Sequence, residues 1–262
     1  MQFLIMKNKL ILYDVPEKCT MGVRGAKLLQ LLPDIPRWIY ARWMVLSGNG
    51  RIYVENKSEN SFIIQDPNNG LTCVVGKPGA DVIQKSLTSI DMPVRIIGFK
   101  NNYRYIENEL KEFERSTAYL YTLSEEKPKY SYTDASVRFM MKNDIQAARH
   151  IPDVLRKELV DALLQSPVAA GLIEDKPVSF CYAAAMTETL WDISIDTLKP
   201  YRNKGYAGHT VGFMIEHMMT KGKRPVWGAE ESNRASVHLA KKLGFKPVDK
   251  LYLFNKSQES PN

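Results

Sequence analysis

A strand that leads through a basic glycine turn into a helix is the feature that most constrains this chain. Residues 191–197 alternate apolar and polar side chains, which predicts a β-strand with one buried face. The turn after this strand reads Arg202, Asn203, Lys204, Gly205, Tyr206, Ala207 and Gly208, and an apolar helical pattern follows. Unpaired N–H groups and the positive end of a helix dipole favour an anion at such a helix start. A pyrophosphate fits this description, although the turn by itself also fits a basic helix start on a solvated face.

The sequence after the turn narrows the interpretation. Residues 225–229 form a second strand-like run, and Asn233, Ser236 and Leu239 then recur at three-residue spacing before Leu243-Gly244-Phe245. The order of the two motifs, R-x-x-G-x-A and then N-x-x-S-x-x-L with L-G-F, resembles the general N-acetyltransferase (GNAT) superfamily of acetyl-CoA-dependent acyltransferases. The resemblance covers about residues 132–255. The whole chain is similar to GNAT proteins in which a less typical N-terminal domain precedes the acetyltransferase domain.

The resemblance implies an α/β (α+β) fold with a mixed, mostly antiparallel sheet in which two strands splay apart and hold acetyl-CoA as cosubstrate. The amides from Asn203 to Gly208, with Arg202, would bind the pyrophosphate. Backbone groups of Ile195, Asp196, Thr197 and Leu198 would contact the pantetheine arm. Asn233 and Ser236 would touch the cofactor near the opposite strand, and one N–H near Ile193–Ile195 would polarise the thioester carbonyl.

Acetyl transfer to an amine also needs a base, because only a neutral amine attacks the thioester. Asp192 and Glu230 are our candidates, since Asp192 lies on the polar side of the first strand and Glu230 ends the second. Glu188 and Glu231 are further carboxylates in this region. Many GNAT enzymes have a tyrosine where this chain has Ala240. The acid that protonates the thiolate must therefore lie elsewhere, or be water, or be unnecessary.

The first half repeats the order of elements seen in the second. Landmarks correspond at an offset of about 130 residues, with Val94 matching Val226, Asn102 matching Asn233 and Ser116 matching Lys246. A diverged duplication and a coincidence of common α/β patterns both explain this order. Glu125–Lys129 is a charged, proline-containing linker candidate, and we predict domains at 1–125 and 126–262. Because Pro78 lacks an N–H in the corresponding turn, we expect no coenzyme A in the first half.

Composition sets further limits. The 262 residues carry a net charge of +7 with a pI near 9.1, which favours an anionic partner or has no specific target. Cys19, Cys73 and Cys181 lack metal-ligand or redox spacing. No apolar run reaches the ~18 residues of a membrane helix, and no nucleic-acid motif occurs. We therefore expect a cytoplasmic protein that binds neither a membrane nor nucleic acid.

These observations predict an acetyl-CoA-dependent N-acetyltransferase that acts on a primary amine. The alternative is a non-catalytic module that binds acyl-CoA as a sensor, which the missing tyrosine favours. The acceptor amine, the acyl-chain preference and the oligomeric state have no signature in the sequence.

Overall fold

The computed structural model describes residues 11–13, 23–54, 60–123 and 136–256, with only the backbone described at 11–13, 23 and 24. The predicted linker, the predicted boundary at 125/126 and Cys19 lie outside these residues. The helices are α1 Val23–Leu31, α2 Ile39–Leu46, α3 Ala80–Thr88, α4 Tyr103–Glu109, α5 Lys142–Ala147, α6 Asp153–Ala162, α7 Tyr206–Thr220 and α8 Arg234–Lys242. The strands are β1 Ile11–Tyr13, β2 Arg51–Val54, β3 Phe62–Gln65, β4 Leu71–Val75, β5 Arg95–Gly98, β6 Phe113–Leu123, β7 Ser136–Phe139, β8 Ala169–Ile173, β9 Lys176–Met186, β10 Leu190–Thr197, β11 Arg224–Glu230 and β12 Phe245–Lys256.

The described residues form two compact units. The first unit contains the chain up to Pro33, Tyr40–Ala118 and the residues from Lys250 onward. The second unit contains Asp34–Ile39 and Tyr119–Asp249. Two strands, β6 and β12, therefore contribute residues to both units.

The second unit is built on a mixed sheet in the order β6-β11-β10-β9-β8-β7. β10 and β11 are parallel, whereas β7, β8, β9 and β10 pair antiparallel in succession. The predicted mixed, mostly antiparallel sheet is thus confirmed.

Helices cover both faces of this sheet. On one face, the apolar stripe Val211, Met214 and Ile215 of α7 packs with Trp191 and Trp227, all at most 1% exposed. On the other face, buried residues of α5 and α6 pack against the strands, and these include Ile145, Leu159, Phe180 and Tyr182. Alternate residues of β9 enter the two cores, as the two-residue period of a strand requires. The second unit is therefore a three-layer α/β domain.

The first unit has the strand order β1-β2-β3-β4-β5-β12, in which β4 and β5 are parallel and the other pairs are antiparallel. Its core contains side chains of α3, α4 and the sheet, among them Val82, Ile83, Ile106 and Phe254. Strand, turn, helix, parallel strand, helix and strand follow one another here as they do in the second unit. The α/β class predicted for this part of the chain is confirmed.

None of the helices in the described part of the chain combines the length and the apolar character needed to cross a membrane.

Candidate cofactor cleft and active site

β10 and β11 separate shortly after they begin. Their register is Leu190 with Arg224, Trp191 with Pro225 and Asp192 with Val226, and it ends there. Antiparallel β9 continues to accompany β10 as far as Thr197. We call the opening between residues 193–197 of β10 and 227–230 of β11 the cleft. This divergence is the splayed sheet that the sequence predicted.

Asp192 lies where the cleft opens. Its carboxylate is 4% exposed, and Oδ1 accepts a hydrogen bond of 3.0 Å from the Gly228 N–H of β11. This contact joins the two strands at the last position where they pair, so the side chain has a structural partner. Its predicted role as a base stays a prediction.

The other candidate carboxylates lie at different ends of the strands. Glu230 is half-buried at the end of β11, where its carbonyl accepts the Asn233 N–H at 2.9 Å. Glu188 precedes β10, and its carbonyl accepts from Lys223 Nζ at 2.9 Å. Because β10 runs away from Glu188 toward the basic turn, Glu188 is on the order of 25 Å from Asp196 along the extended chain. Glu230 is therefore near the open part of the cleft, and Glu188 is not.

Backbone groups of β10 point alternately toward β9 and toward the cleft. The Leu198 N–H donates to Val178 O at 2.9 Å, so Leu198 and, two residues earlier, Asp196 direct these groups toward β9. Ile195 and Thr197 direct theirs toward the cleft, and the Thr197 carbonyl accepts from Arg202 Nε at 2.9 Å. Of the four positions predicted to contact pantetheine, Ile195 is thus the best placed to offer both an N–H and a carbonyl.

The basic turn leaves the start of α7 open. Asn203 and Gly205 have φ of 60° and 89°, a left-handed backbone that glycine adopts readily. The first hydrogen bond of α7 runs from His209 N to Gly205 O at 3.2 Å, and no side chain caps Gly205. The amides of Tyr206, Ala207 and Gly208 precede that bond. These amides are therefore directed at whatever lies before the helix.

Two cations flank these amides. Arg202 and Lys204 are exposed, and Lys204 Nζ lies 5.8 Å from the centre of the Tyr201 ring. The Arg202 contact with Thr197 holds the guanidinium stem near the end of β10. Helix-start amides, a helix dipole and two exposed positive charges at the mouth of a cleft fit a diphosphate.

The predicted cofactor contacts on α8 already have partners within the protein. Asn233 Oδ1 accepts the Ser236 N–H at 3.1 Å, which caps α8. Ser236 Oγ accepts from Trp227 Nε1 at 2.8 Å. Ala240 is fully buried in the same core, beside Trp227 and Phe245. A tyrosine at position 240 would have to displace this core, so the position supplies no acid.

A cluster that the sequence analysis missed lies on the α6 side of β10. The Tyr182 hydroxyl is 2.6 Å from Glu158 Oε1 and 3.2 Å from Asp196 Oδ2. Burial and the charge of Glu158 raise the pKa of Asp196. Burial and the hydrogen bond to Glu158 raise the pKa of Tyr182. The alternation of Asp192, Ser194 and Asp196 did place three polar side chains on one face, but nothing local named their partners.

The histidines of this region have ordinary surroundings. His217 contacts the Phe139 ring at 4.6 Å, and His238 is exposed. His209 is partly buried, and this burial lowers its pKa. Within the described ranges, no group of histidine, cysteine and carboxylate side chains could hold a metal ion.

Known proteins agree with this geometry. Residues 169–254 match the family model described as GNAT acetyltransferase. No curated protein matches the sequence significantly. A GCN5-related N-acetyltransferase-like protein from Streptococcus suis is 18% identical with a TM-score of 0.65, over 89% of this chain and 98% of that one. A GCN5-related N-acetyltransferase from Kribbella flavida is 11% identical with a TM-score of 0.61, over 91% and 98%.

A third solved structure, a tandem GNAT protein from the clavulanic acid biosynthesis pathway, is 8% identical with a TM-score of 0.60 and covers 96% of this chain and 99% of its own. At such identities these structures establish the fold. The family model thus identifies residues 169–254 as a GNAT acetyltransferase domain, and the solved structures share the fold of this chain.

Proposed function

We propose that the second unit transfers the acetyl group of acetyl-CoA to a primary amine. The observation that carries this proposal is the uncapped start of α7 at the open end of the cleft between β10 and β11. Such a helix start, flanked by Arg202 and Lys204, favours a diphosphate, and the cleft beyond it exposes strand backbone to a thioester arm.

Different residues of the cleft bind different parts of the cofactor. The amides of residues 203–208 and the side chains of Arg202 and Lys204 bind the diphosphate. The backbone of Ile195 binds the pantetheine arm, and its N–H or that of Ile193 stabilises the negative charge that develops on the thioester oxygen. Asn233 and Ser236 hold α8 beside the cofactor through the contacts described above. Asp192 and Glu230 are the candidate bases predicted from the sequence, and Asp192 also fixes the opening of the cleft.

Calorimetry with coenzyme A and a thiol-release assay with acetyl-CoA over a panel of primary amines test this function. We expect a binding heat, and thiol release that depends on the amine. Longer acyl-CoA thioesters in the same assay define the acyl preference. Folded protein that gives no heat with coenzyme A would refute the cofactor assignment.

A second candidate function is a non-catalytic acyl-CoA sensor. The buried Ala240 favours it, because the core leaves no place there for a side chain that protonates the departing thiolate. A thiolate of coenzyme A is a good leaving group near neutral pH, so we prefer the enzyme. Binding of coenzyme A without thiol release from any amine of the panel would establish the sensor instead.

A further inference from the structure

Tyr182 connects a half-buried carboxylate beside the cleft with an exposed one on α6. Its hydroxyl is 2.6 Å from Glu158 Oε1 and 3.2 Å from Asp196 Oδ2, and the residue is 3% exposed. Asp196 is half-buried, whereas Glu158 faces solvent. The three side chains therefore form a continuous chain of oxygen atoms from the end of β10 to the protein surface.

The number of protons shared by these three side chains determines which of them donates each hydrogen bond. A phenol has one proton, so Tyr182 can donate to one carboxylate at a time. The shorter contact, to Glu158, accounts for that proton. The contact with Asp196 then becomes a hydrogen bond when Asp196 itself carries a proton and donates it to the phenolic oxygen. Both contacts of the Tyr182 hydroxyl are therefore hydrogen bonds when Asp196 is protonated. When Asp196 is ionised, it can accept a proton from a substrate.

The position of Asp196 relates this chain to the reaction. Asp196 follows Ile195, whose backbone faces the cleft, and its own side chain lies on the face that α6 covers. An amine that reaches the thioester from the α6 side would pass this carboxylate.

We propose that Asp196, Tyr182 and Glu158 form a proton relay that takes a proton from the acceptor ammonium and delivers it to solvent. This inference rests on the proposed function. The ammonium gives one proton to Asp196, and the neutral nitrogen attacks the carbonyl carbon. The C–N bond forms, the C–S bond breaks, and the second proton on nitrogen passes to the departing thiolate. Asp196 donates its proton to Tyr182, which donates its own to Glu158 and so to water.

The charged and titratable neighbours of Asp196 set its readiness to accept a proton. Burial and Glu158 on α6 raise its pKa, whereas the contact with the Tyr182 hydroxyl on β9 and the charge of Arg202 in the turn lower it. Cys181 on β9 is also close, but its thiol is fully buried, and burial raises its pKa. The net effect is a pKa above the usual range for aspartate.

The test compares Asp196→Asn, Tyr182→Phe and Glu158→Gln with the control Asp161→Asn, an exposed carboxylate on the same helix. The pH dependence of thiol release with an amine that the wild-type protein accepts is the readout. Asp196→Asn should lower kcat about 100-fold or more and abolish the rising acidic limb, because a general base contributes factors of this size. Tyr182→Phe should lower kcat by roughly 10-fold and move the acidic limb, Glu158→Gln should have a smaller effect, and Asp161→Asn none.

Coenzyme A affinity, measured by calorimetry, separates the relay from the cofactor site and should stay within about twofold in all four variants. Asp196→Glu keeps a carboxylate and should recover part of the kcat that Asp196→Asn loses. Such a recovery would show that misfolding does not cause the loss. If Asp196→Asn keeps both kcat and the acidic limb of an active wild-type protein, the relay is wrong and the acetyltransferase proposal stands. If the wild-type protein binds coenzyme A but acetylates no amine, the proposed function is wrong, and the relay falls with it.

Discussion

In both units a pair of parallel strands diverges, but side chains close the resulting opening in the first unit and leave it open in the second. In the first unit, parallel β4 and β5 pair at Leu71 with Arg95, Thr72 with Ile96 and Cys73 with Ile97, after which the register ends. In the second unit, β10 and β11 also pair over three positions. In both units the parallel register therefore ends at the third residue of each strand.

A single asparagine closes the opening in the first unit. Asn102 follows β5 and is 2% exposed. Its Nδ2 donates to the carbonyls of Val74 and Gly76, both at 2.8 Å, and its Oδ1 accepts from Phe99 N at 2.7 Å. The corresponding Asn233 instead caps its own helix, and the Asp192–Gly228 hydrogen bond joins β10 and β11 only where their opening begins.

The turns before α3 and α7 also differ, because the turn before α3 has fewer backbone groups available for a ligand. The Lys77 N–H donates to Ser61 Oγ at 3.0 Å, and Pro78 has no N–H. The Tyr105 hydroxyl also donates to the Pro78 carbonyl. These contacts occupy groups that a diphosphate would need, and the absence of coenzyme A binding in the first unit stays a prediction. The comparison teaches that a shared backbone divergence becomes a binding site where side chains leave its amides unpaired.

The largest expected effect comes from Asn102→Ala. It removes the three hydrogen bonds of the Asn102 amide, two of which are buried, and the loss of such a bond costs about 1–3 kcal/mol. We expect the free energy of unfolding of the first unit to fall by roughly 3–5 kcal/mol in denaturant titrations. Exposed Asn49→Ala is the control. A loss below about 1 kcal/mol would show that Asn102 does not close the first unit.

Charge reversal should weaken coenzyme A binding when it is made in the turn before α7, but not when it is made in the turn before α3. Arg202→Glu should weaken coenzyme A binding by about 10- to 100-fold, since a hydrogen bond to a charged group contributes about 1.5–3 kcal/mol. Lys77→Glu, the matched change in the first unit, should leave affinity unchanged. Calorimetry measures both. Equal losses in the two variants would contradict the contrast drawn between the turns.

Asn233→Ala tests the other asparagine of the comparison. It removes one helix cap from an exposed helix start, so we expect a loss of about 1 kcal/mol in the free energy of unfolding. Thermal or denaturant unfolding measures this loss. A loss as large as that of Asn102→Ala would mean that the two asparagines have equivalent roles.

The smallest expected effect concerns pH. The raised pKa of Asp196 means that folding disfavours its ionised form, so its contribution to stability is greatest in acid and falls as pH rises through that pKa. Asn cannot ionise, so the Tm of Asp196→Asn should rise relative to the wild-type Tm as the pH increases above the ordinary aspartate pKa of about 4. Asp161→Asn is the control. If the Tm of Asp196→Asn instead fell relative to the wild-type Tm with rising pH, the pKa of Asp196 would not be raised by folding.

Local patterns predicted the elements of the second unit well and the fate of single side chains poorly. The alternation of residues 191–197 and the glycine turn predicted β10 and α7, whereas the cleft was expected only from the resemblance to GNAT proteins. Asn102 and Asn233 both precede helices and were equivalent by sequence, because a cap preference does not reveal whether another strand end lies within reach. Tyr182, Glu158 and Asp196 meet only through the register of β9 with β10 and the packing of α6, which no local pattern encodes.

The division of β12 between the units has a consequence for biosynthesis. Phe254, a fully buried core residue of the first unit, is translated after residues 119–249 of the second unit, and residues 252–255 pair with β5. The N-terminal half of a nascent chain thus lacks a strand of its sheet until nearly all of the second unit has emerged. The first unit therefore completes its sheet only after the residues of the second unit have been translated.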